Sequence, residues 1–191
     1  MAQSYEELPG LLATNLDRYF KQLVLAYQHR LYAFALRQVG SSQDAEDIVQ
    51  EAFIRAYYAL GNYPPERVQA LKLQPWLFKI TLNVFYSRLR TARLQQVPLD
   101  MSEESLHLEI ENDRHEQPEV VLEERERMHE LETLVCTLPQ RYREAVNLYY
   151  FENLSYREIA KLLNQPIGTV KSSLHRGTRL VRKTLETQKS K

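Results

Sequence analysis

The sequence predicts an all-α fold of two small helical domains joined by an acidic flexible linker, and three observations carry that expectation. Apolar residues recur at three- and four-residue steps over nearly the whole chain, the spacing of an amphipathic helix. The periodicity fades only from Leu94 to about Gln117, where acids accumulate. Near the C-terminus, LSYREIAKLLNQPIGTVKSSLHR, residues Leu154 to Arg176, reads as two short helices joined by a tight turn.

Taken in order, Leu16, Phe20, Leu23 or Val24, Tyr27, Leu31 and Phe34 form the buried stripe of a long helix that ends at Gly40. Ser41 or Ser42 caps the next, whose stripe is Ala45, Ile48 or Val49, Ala52 or Phe53, Ala56 and Leu60. A loop with Gly61, Pro64 and Pro65 follows. After Pro75 a third helix carries Leu77, Ile80 and Val84, with a basic end at Arg88, Arg90 and Arg93. Three such helices enclose a small core, so residues 1–93 read as the first domain. Residues 94–118 read as the linker, and fully extended its roughly 25 residues span about 80 Å, enough for two duplex turns of about 70 Å. Residues 119–191 read as the second domain. Pro118 suits a helix start, Leu122, Met128, Leu131, Leu134 and Val135 continue that helix, and Pro139 starts another that leads into the two-helix motif.

That motif can be taken apart. Ser155 and Glu158 form a capping box, which starts a helix at Tyr156. Ile159, Ala160 and Leu163 turn its apolar side inward, and Asn164-Gln165-Pro166 breaks it because Pro166 disfavours helical geometry at the preceding residue. The second helix restarts around Ile167, Gly168 and Thr169 and buries Val170, Leu174, Leu180 or Val181, and Leu185. Its outer side carries Lys171, Ser172, Ser173, His175, Arg176, Arg179, Arg182 and Lys183, with no acid between Ile167 and Leu185. An ordinary solvated face mixes charge signs. Cations along the helix for phosphates, with polar groups near its start for base edges, are what a DNA-reading helix-turn-helix needs.

Composition sets bounds. The 191 residues are 43% hydrophobic and 26% charged, with no apolar run long enough to cross a bilayer. MAQSYEELPG at the N-terminus has neither a basic region nor an apolar core, so a cytoplasmic protein without a secretory signal is expected. The single cysteine, Cys136, has no partner for an internal disulfide and reads as a buried small residue at a helix end. The net charge of zero conceals segregation: residues 1–93 hold eleven Lys/Arg against eight Asp/Glu, residues 94–118 one against seven, and residues 132–191 eleven against five. A neutral average therefore hides a basic C-terminal domain. The five histidines show no ligand spacing, and neither a Gly-rich phosphate loop nor a Ser/His/Asp arrangement is present. No enzyme activity, metal or cofactor is expected.

The helix from Ser42 to Leu60 has a second face, Asp44, Asp47, Gln50 and Glu51, spaced to lie close together. The helix macrodipole accounts equally well for Asp44 and Asp47. It accounts less well for Gln50 and Glu51, beyond the first turn, so the face reads as a polar docking surface.

These pieces combine into a familiar order. DAEDIVQEAFIRAYYAL, then PWLFKITLNVFYSRLR, then an acidic gap, then LPQRYREAVNLYYFENLSYREIAKLLNQPIGTVKSSLHRG resembles the bacterial extracytoplasmic-function (ECF) sigma factors of the sigma-70 superfamily, over nearly the whole chain. The resemblance implies a dissociable subunit that binds core RNA polymerase, directs promoter-specific initiation and aids DNA melting. It places Asp44, Asp47, Gln50 and Glu51 on the clamp helices of the largest core subunit. It assigns Tyr63, Trp76, Lys79, Asn83, Arg88, Arg90 and Arg93 to the minus-10 element, where amide and aromatic groups capture unstacked bases and cations hold phosphates. Trp76 also reads as core packing, which is the commoner role at a helix start in a small domain. The C-terminal domain binds the polymerase flap and reads the minus-35 element with Tyr156, Arg157, Thr169, Lys171, Ser172, Ser173, His175, Arg176 and Arg179. Many relatives are held inactive by an anti-sigma factor, which makes one a further expected partner.

The sequence departs from the family pattern in places. Ser173 stands where many relatives have Arg, and Gly177 replaces the usual Ala, which by helix propensity alone costs up to about 1 kcal/mol. PPERVQALKL is longer than the common form of that loop. An autonomous helix-turn-helix regulator is the alternative reading, because LSYREIAKLLNQPIGTVKSSL also resembles the DNA-binding domains of some response regulators. It leaves the first domain and the acidic segment unexplained.

Overall fold

The computed structural model describes residues 7–95, 128 and 130–189, and among them every regular element is a helix. Met1–Ala35 with Gln43–Glu103 bound one compact unit, and Leu36–Ser42 with Glu104–Lys191 bound the other. The acidic stretch from Gln96 to Gln117 lies outside the described residues.

The helices of the first unit are α1 (Leu8–Thr14), α2 (Leu16–Val39) as far as Ala35, α3 (Ser42–Gly61) from Gln43, α4 (Pro65–Gln69) and α5 (Leu73–Gln95). The stripes expected of α2 and α3 are buried at Leu23, Tyr27, Leu31 and Phe34, and at Ala45, Ile48, Val49, Ala52, Phe53, Ala56 and Leu60. α5 closes the core with Leu77, Phe78, Leu82, Val84 and Phe85, and Phe34 meets Phe78 edge to face at 5.0 Å. α2 ends where expected, because Gly40 takes a φ of 75° that a side chain disfavours.

Two short helices were not foreseen. Pro65-Glu66 behind an extended Pro64 starts α4, with a proline in the first turn where its missing N–H costs nothing. α1 packs on α4, so Leu8 and Leu12 are buried together with Val68. α5 begins two residues before Pro75.

The second unit contains helical residues 130–136 (α6), α7 (Gln140–Val146), a π-helical turn at Asn147–Phe151, α8 (Tyr156–Leu163) and α9 (Ile167–Lys189). α9 packs on α7 and α8 around Val146, Leu148, Ile159, Val170 and Leu174. Leu162, rather than Leu163, completes the inner face of α8. Leu180 is exposed, while Val181 and Leu185 are half-buried, so the inner stripe of α9 weakens after Leu174.

Arg37, in the Leu36–Ser42 segment that belongs to this unit, is a buried cation. It donates from Nε to Asn147 Oδ1 (2.7 Å), from Nη1 to Glu132 (2.6 Å) and from Nη2 to Glu152 (3.0 Å), and its guanidinium lies 4.2 Å from the Phe151 ring centroid. Burial lowers its pKa against the pull of the two carboxylates, yet an arginine remains charged. The π-helical turn supplies Asn147 and Phe151, and Glu152 follows directly after it.

Cys136 lies at the end of α6 and is half-buried, less enclosed than expected. Burial pushes its thiol pKa up, outweighing the Arg143 and Arg37 guanidiniums, which pull it down. The folded state thus favours the neutral thiol: that preference is fully present below the unfolded value of 9.0 and is lost as pH rises through the raised folded value. At about pH 7.5, alkylation of Cys136 is expected to be slower in the folded chain than in urea. Equal rates would contradict this environment.

Candidate polymerase and nucleic-acid interfaces

The polar face of α3 exists as a surface. Asp44, Asp47 and Gln50 are exposed and Glu51 is half-buried, all on the side away from Ala45, Ile48, Val49 and Ala52. Arg88 of α5 reaches this face, donating from Nη1 to Asp47 Oδ2 (3.2 Å) and lying 3.4 Å from Glu51 Oε2 through Nε. Arg55 pairs with Glu51 one turn along α3. Arg88, expected beside the phosphates, is therefore turned to the α3 carboxylates. The physical reason is opposite charge at contact distance across two packed helices. Its side chain is 38% exposed, so these pairs stabilise the fold by no more than about 1 kcal/mol each.

A second cluster forms where α4 meets the start of α5. The Arg67 guanidinium lies 3.7 Å from the Tyr63 ring centroid, and Tyr63 lies 6.2 Å from Trp76. Tyr63 and Trp76 are both half-buried, so Trp76 belongs neither wholly to the core nor wholly to solvent. Lys79, Asn83 and Arg90 are exposed along α5. Arg93 lies on α5, but its side chain is outside the described ones. Arg67 was missed in the sequence; the signal was its position four residues after Tyr63, which the short helix α4 converts into a stack.

The helix-turn-helix forms as its sequence dictates. Ser155 Oγ accepts from the Glu158 N–H, and Glu158 accepts from the Ser155 N–H at 3.1 Å, so the capping box is complete. Asn164 ends α8 in the left-handed region, at φ 53°, which asparagine tolerates better than most residues. Thr169, Lys171, Ser172, His175, Arg176 and Arg179 are exposed on α9, and Arg157 is exposed on α8. Ser172 donates its hydroxyl to the Thr169 carbonyl at 2.9 Å. The Tyr156 ring stacks on Tyr149, with centroids 4.9 Å apart and planes within 2°, and Lys171 Nζ sits 5.7 Å from the Tyr156 centroid. A hydrogen bond with Tyr156 raises the Tyr149 phenol pKa.

Ser173 corrects the expected set. It is 7% exposed. It falls three residues after Val170 and four before Gly177, which turns it inward with them. Its side chain is therefore not on the exposed face that carries Lys171, Ser172 and Arg176.

Gly177 has a structural reason. A Cβ there would stand 2.7 Å from Val146 Cγ2 and 3.3 Å from Tyr142 Cβ, so the glycine lets α9 lie close on α7. Among the described residues no cluster of three or more His, Cys, Asp or Glu is arranged to hold a metal ion, and no helix is long and apolar enough to cross a membrane.

Comparison with known proteins identifies the family. Residues 23–95 match the family model of sigma-70 region 2, and residues 128–180 match that of sigma-70, region 4. The chain is 32% identical over 170 residues to the ECF RNA polymerase sigma factor SigW of Bacillus subtilis, covering 87% of this chain and 88% of that one. It is 33% identical over 173 residues to the RNA polymerase sigma-H factor of Pseudomonas aeruginosa, covering 88% and 87%. Among solved structures it is similar to the sigma factor RpoE in complex with the anti-sigma factor NepR from Bartonella quintana, at a TM-score of 0.68 and 25% identity, covering 87% of this chain and 96% of that one. With both regions matched and relatives above 30% identity along most of their length, the chain belongs to the ECF RNA polymerase sigma factors of the sigma-70 family.

Proposed function

We propose that the α3 face and the two basic surfaces act together in one holoenzyme. Asp44, Asp47, Gln50 and Glu51 dock on the clamp helices of core polymerase, with Arg88 holding Asp47 and Glu51 in place from behind. Tyr63 and Trp76, with Asn83, Lys79 and Arg90 along α5, receive the nontemplate strand of the minus-10 element as it opens. Melting without ATP requires capture of unstacked bases, and each flipped base costs a few kcal/mol that stacking and amide hydrogen bonds offset. Arg93 belongs to the same basic end of α5 by sequence. α8 and α9 read the minus-35 element in the major groove through Thr169, Lys171, Ser172, His175 and Arg176, while Tyr156, Arg157 and Arg179 meet phosphates. The polymerase flap holds this unit at the spacing the promoter needs. Residues 94–118 join the sigma regions 1–93 and 119–191 through the core. A cytoplasmic location follows from this role, and the complex of the Bartonella relative makes an anti-sigma factor a fitting regulator.

The observation that carries this reading is the exposed face of α9, cationic and hydroxylic with no acid from Gly168 to Thr184, behind a complete capping box. A gel shift with and without core polymerase tests it. The chain alone is expected to bind promoter DNA weakly and the holoenzyme tightly. Lys171→Ala is expected to weaken holoenzyme binding to a minus-35-dependent promoter about tenfold, and log K is expected to fall with log salt by about 0.9 per phosphate contacted. Tight operator-like binding without core polymerase would instead favour an autonomous regulator.

A further inference from the structure

The match to region 2 begins at residue 23, so α1 lies outside it. PPERVQALKL, which contains α4, is the loop whose length departs from the family pattern. In the structure these two segments pack on each other. Asn15 is what turns α1 away from the line of α2. Its backbone is extended, at φ −155° and ψ 100°, and its N–H closes α1 on the Leu11 carbonyl. Its side-chain Oδ1 accepts the Arg18 N–H at 3.0 Å and so caps α2. The seven residues of α1 are too few to hold a helix unaided. Leu8 and Leu12, four apart and hence on one face, are buried, as is Val68 on α4. Burial of that apolar face is what keeps both short helices formed.

α4 couples this packing to the surface. The Pro64 carbonyl accepts from the Arg67 and Val68 N–H groups, at 2.9 and 3.2 Å, so the braced residue and the exposed one are neighbours on one turn. Val68 is buried and Arg67 is exposed. The Arg67 guanidinium covers one face of the Tyr63 ring at 3.7 Å, and that ring stands 6.2 Å from Trp76, tilted by 60°. A base cannot stack on a ring face that a guanidinium already covers. The outer side of the guanidinium offers a plane in its stead, with N–H donors along its edge. Unpaired bases stack on guanidinium planes as they do on aromatic rings.

We propose that α1 is a brace for the minus-10 site: through Leu8, Leu12 and Val68 it fixes α4, so that Arg67, backed by Tyr63, stacks on an unpaired base of the nontemplate strand. Arg67 touches the strand; Leu12 and Val68 are positioning residues. The brace rests on the reading of Tyr63, Trp76 and Asn83 as the surface that receives the minus-10 element, and it moves the outermost stacking plane from Tyr63 to Arg67. Neither the polar face of α3 nor α9 takes part, so a loosened brace leaves core binding and minus-35 binding intact.

The test is binding of the holoenzyme to a single-stranded nontemplate minus-10 oligonucleotide and to a duplex carrying only the minus-35 element, with core affinity measured for each variant. Arg67→Ala is expected to weaken single-strand binding about five- to tenfold and to leave the duplex unaffected. Arg67→Lys keeps the charge without the plane and is expected to recover little; full recovery would make the contact a phosphate one and overturn the stack. Leu12→Ala is expected to weaken single-strand binding about three- to tenfold, and Leu12→Met, close in volume, to behave as wild type. Val68→Ala, a smaller truncation from the α4 side, is expected to repeat the Leu12→Ala pattern and decides the case if Leu12→Ala fails to fold. In the double variant of Val68→Ala with Arg67→Ala the two losses are expected not to add, because the brace acts through Arg67. Additive losses, or loss of core affinity in Val68→Ala, overturn the brace. Wild-type single-strand affinity in Arg67→Ala and Val68→Ala, with Asn83→Ala impaired, overturns the brace and the Arg67 contact alone. Silence of Asn83→Ala as well overturns the minus-10 reading of α5.

Discussion

Gln50→Ala combined with Glu51→Ala is expected to weaken binding to core polymerase by about ten- to a hundredfold, the range for truncating two central contact residues of an interface. The side chains lie on the polar face of α3, opposite the buried stripe, so their removal exposes no apolar core. Glu51 does give up its pairs with Arg55 and Arg88, but those groups are 35–45% exposed. Pairs of that kind are worth about 1 kcal/mol or less, so the thermal midpoint is expected to move by only a few degrees. Loss of affinity with the fold intact separates docking from stability. Titration of labelled chain against core polymerase measures it, and equal affinity in the double variant would remove α3 as the docking face.

The second large effect is Gly177→Ala, whose sign depends on which of two forces wins. Helix propensity favours alanine over glycine by about 1 kcal/mol. Against that, the added methyl would meet Val146 Cγ2 at 2.7 Å and crowd Tyr142 Cβ at 3.3 Å. Val146 is β-branched and helical, so it has essentially one χ1 well and no easy retreat. Overpacking of this kind costs about 1–3 kcal/mol. The net expectation is destabilisation of the C-terminal unit, with weaker minus-35 binding because Arg176 follows the displaced helix. Chemical denaturation of the full chain, followed by a probe in the C-terminal unit, gives the sign. A stabilised variant would mean that α9 and α7 are less tightly apposed.

The same glycine shows where sequence reading stops. By propensity Gly177 is a local weakness, and only the approach of α7, more than thirty residues earlier, reveals it as a packing requirement. What was legible was local: the stripes of α2 and α3, the capping box of Ser155 and Glu158, the break at Asn164 to Pro166, and the outward residues Lys171, Ser172, His175 and Arg176. Each depends on neighbours within one or two turns. What was not legible depends on packing between elements. α1 and α4 are too short to announce themselves by periodicity, and burial of Leu8, Leu12 and Val68 holds them. The inward turn of Ser173 was available from its spacing to Val170 but was masked by its polarity. Arg88 was grouped with the other cations of α5 because nothing local shows that α3 places Asp47 and Glu51 beside it. The contact of Tyr142 with Gly177 across α7 and α9 likewise follows from helix packing and not from local pattern.

This sigma factor is expected to open promoters only as part of the polymerase. In vitro transcription of a genomic promoter library with core polymerase, with and without the chain and with start sites mapped and opened thymines detected by permanganate, tests it most directly. Discrete starts downstream of one shared pair of minus-35 and minus-10 elements, with strand opening at the latter, are expected only when both components are present. Protection and regulation of DNA by the chain alone, with no new starts on adding core polymerase, would contradict it.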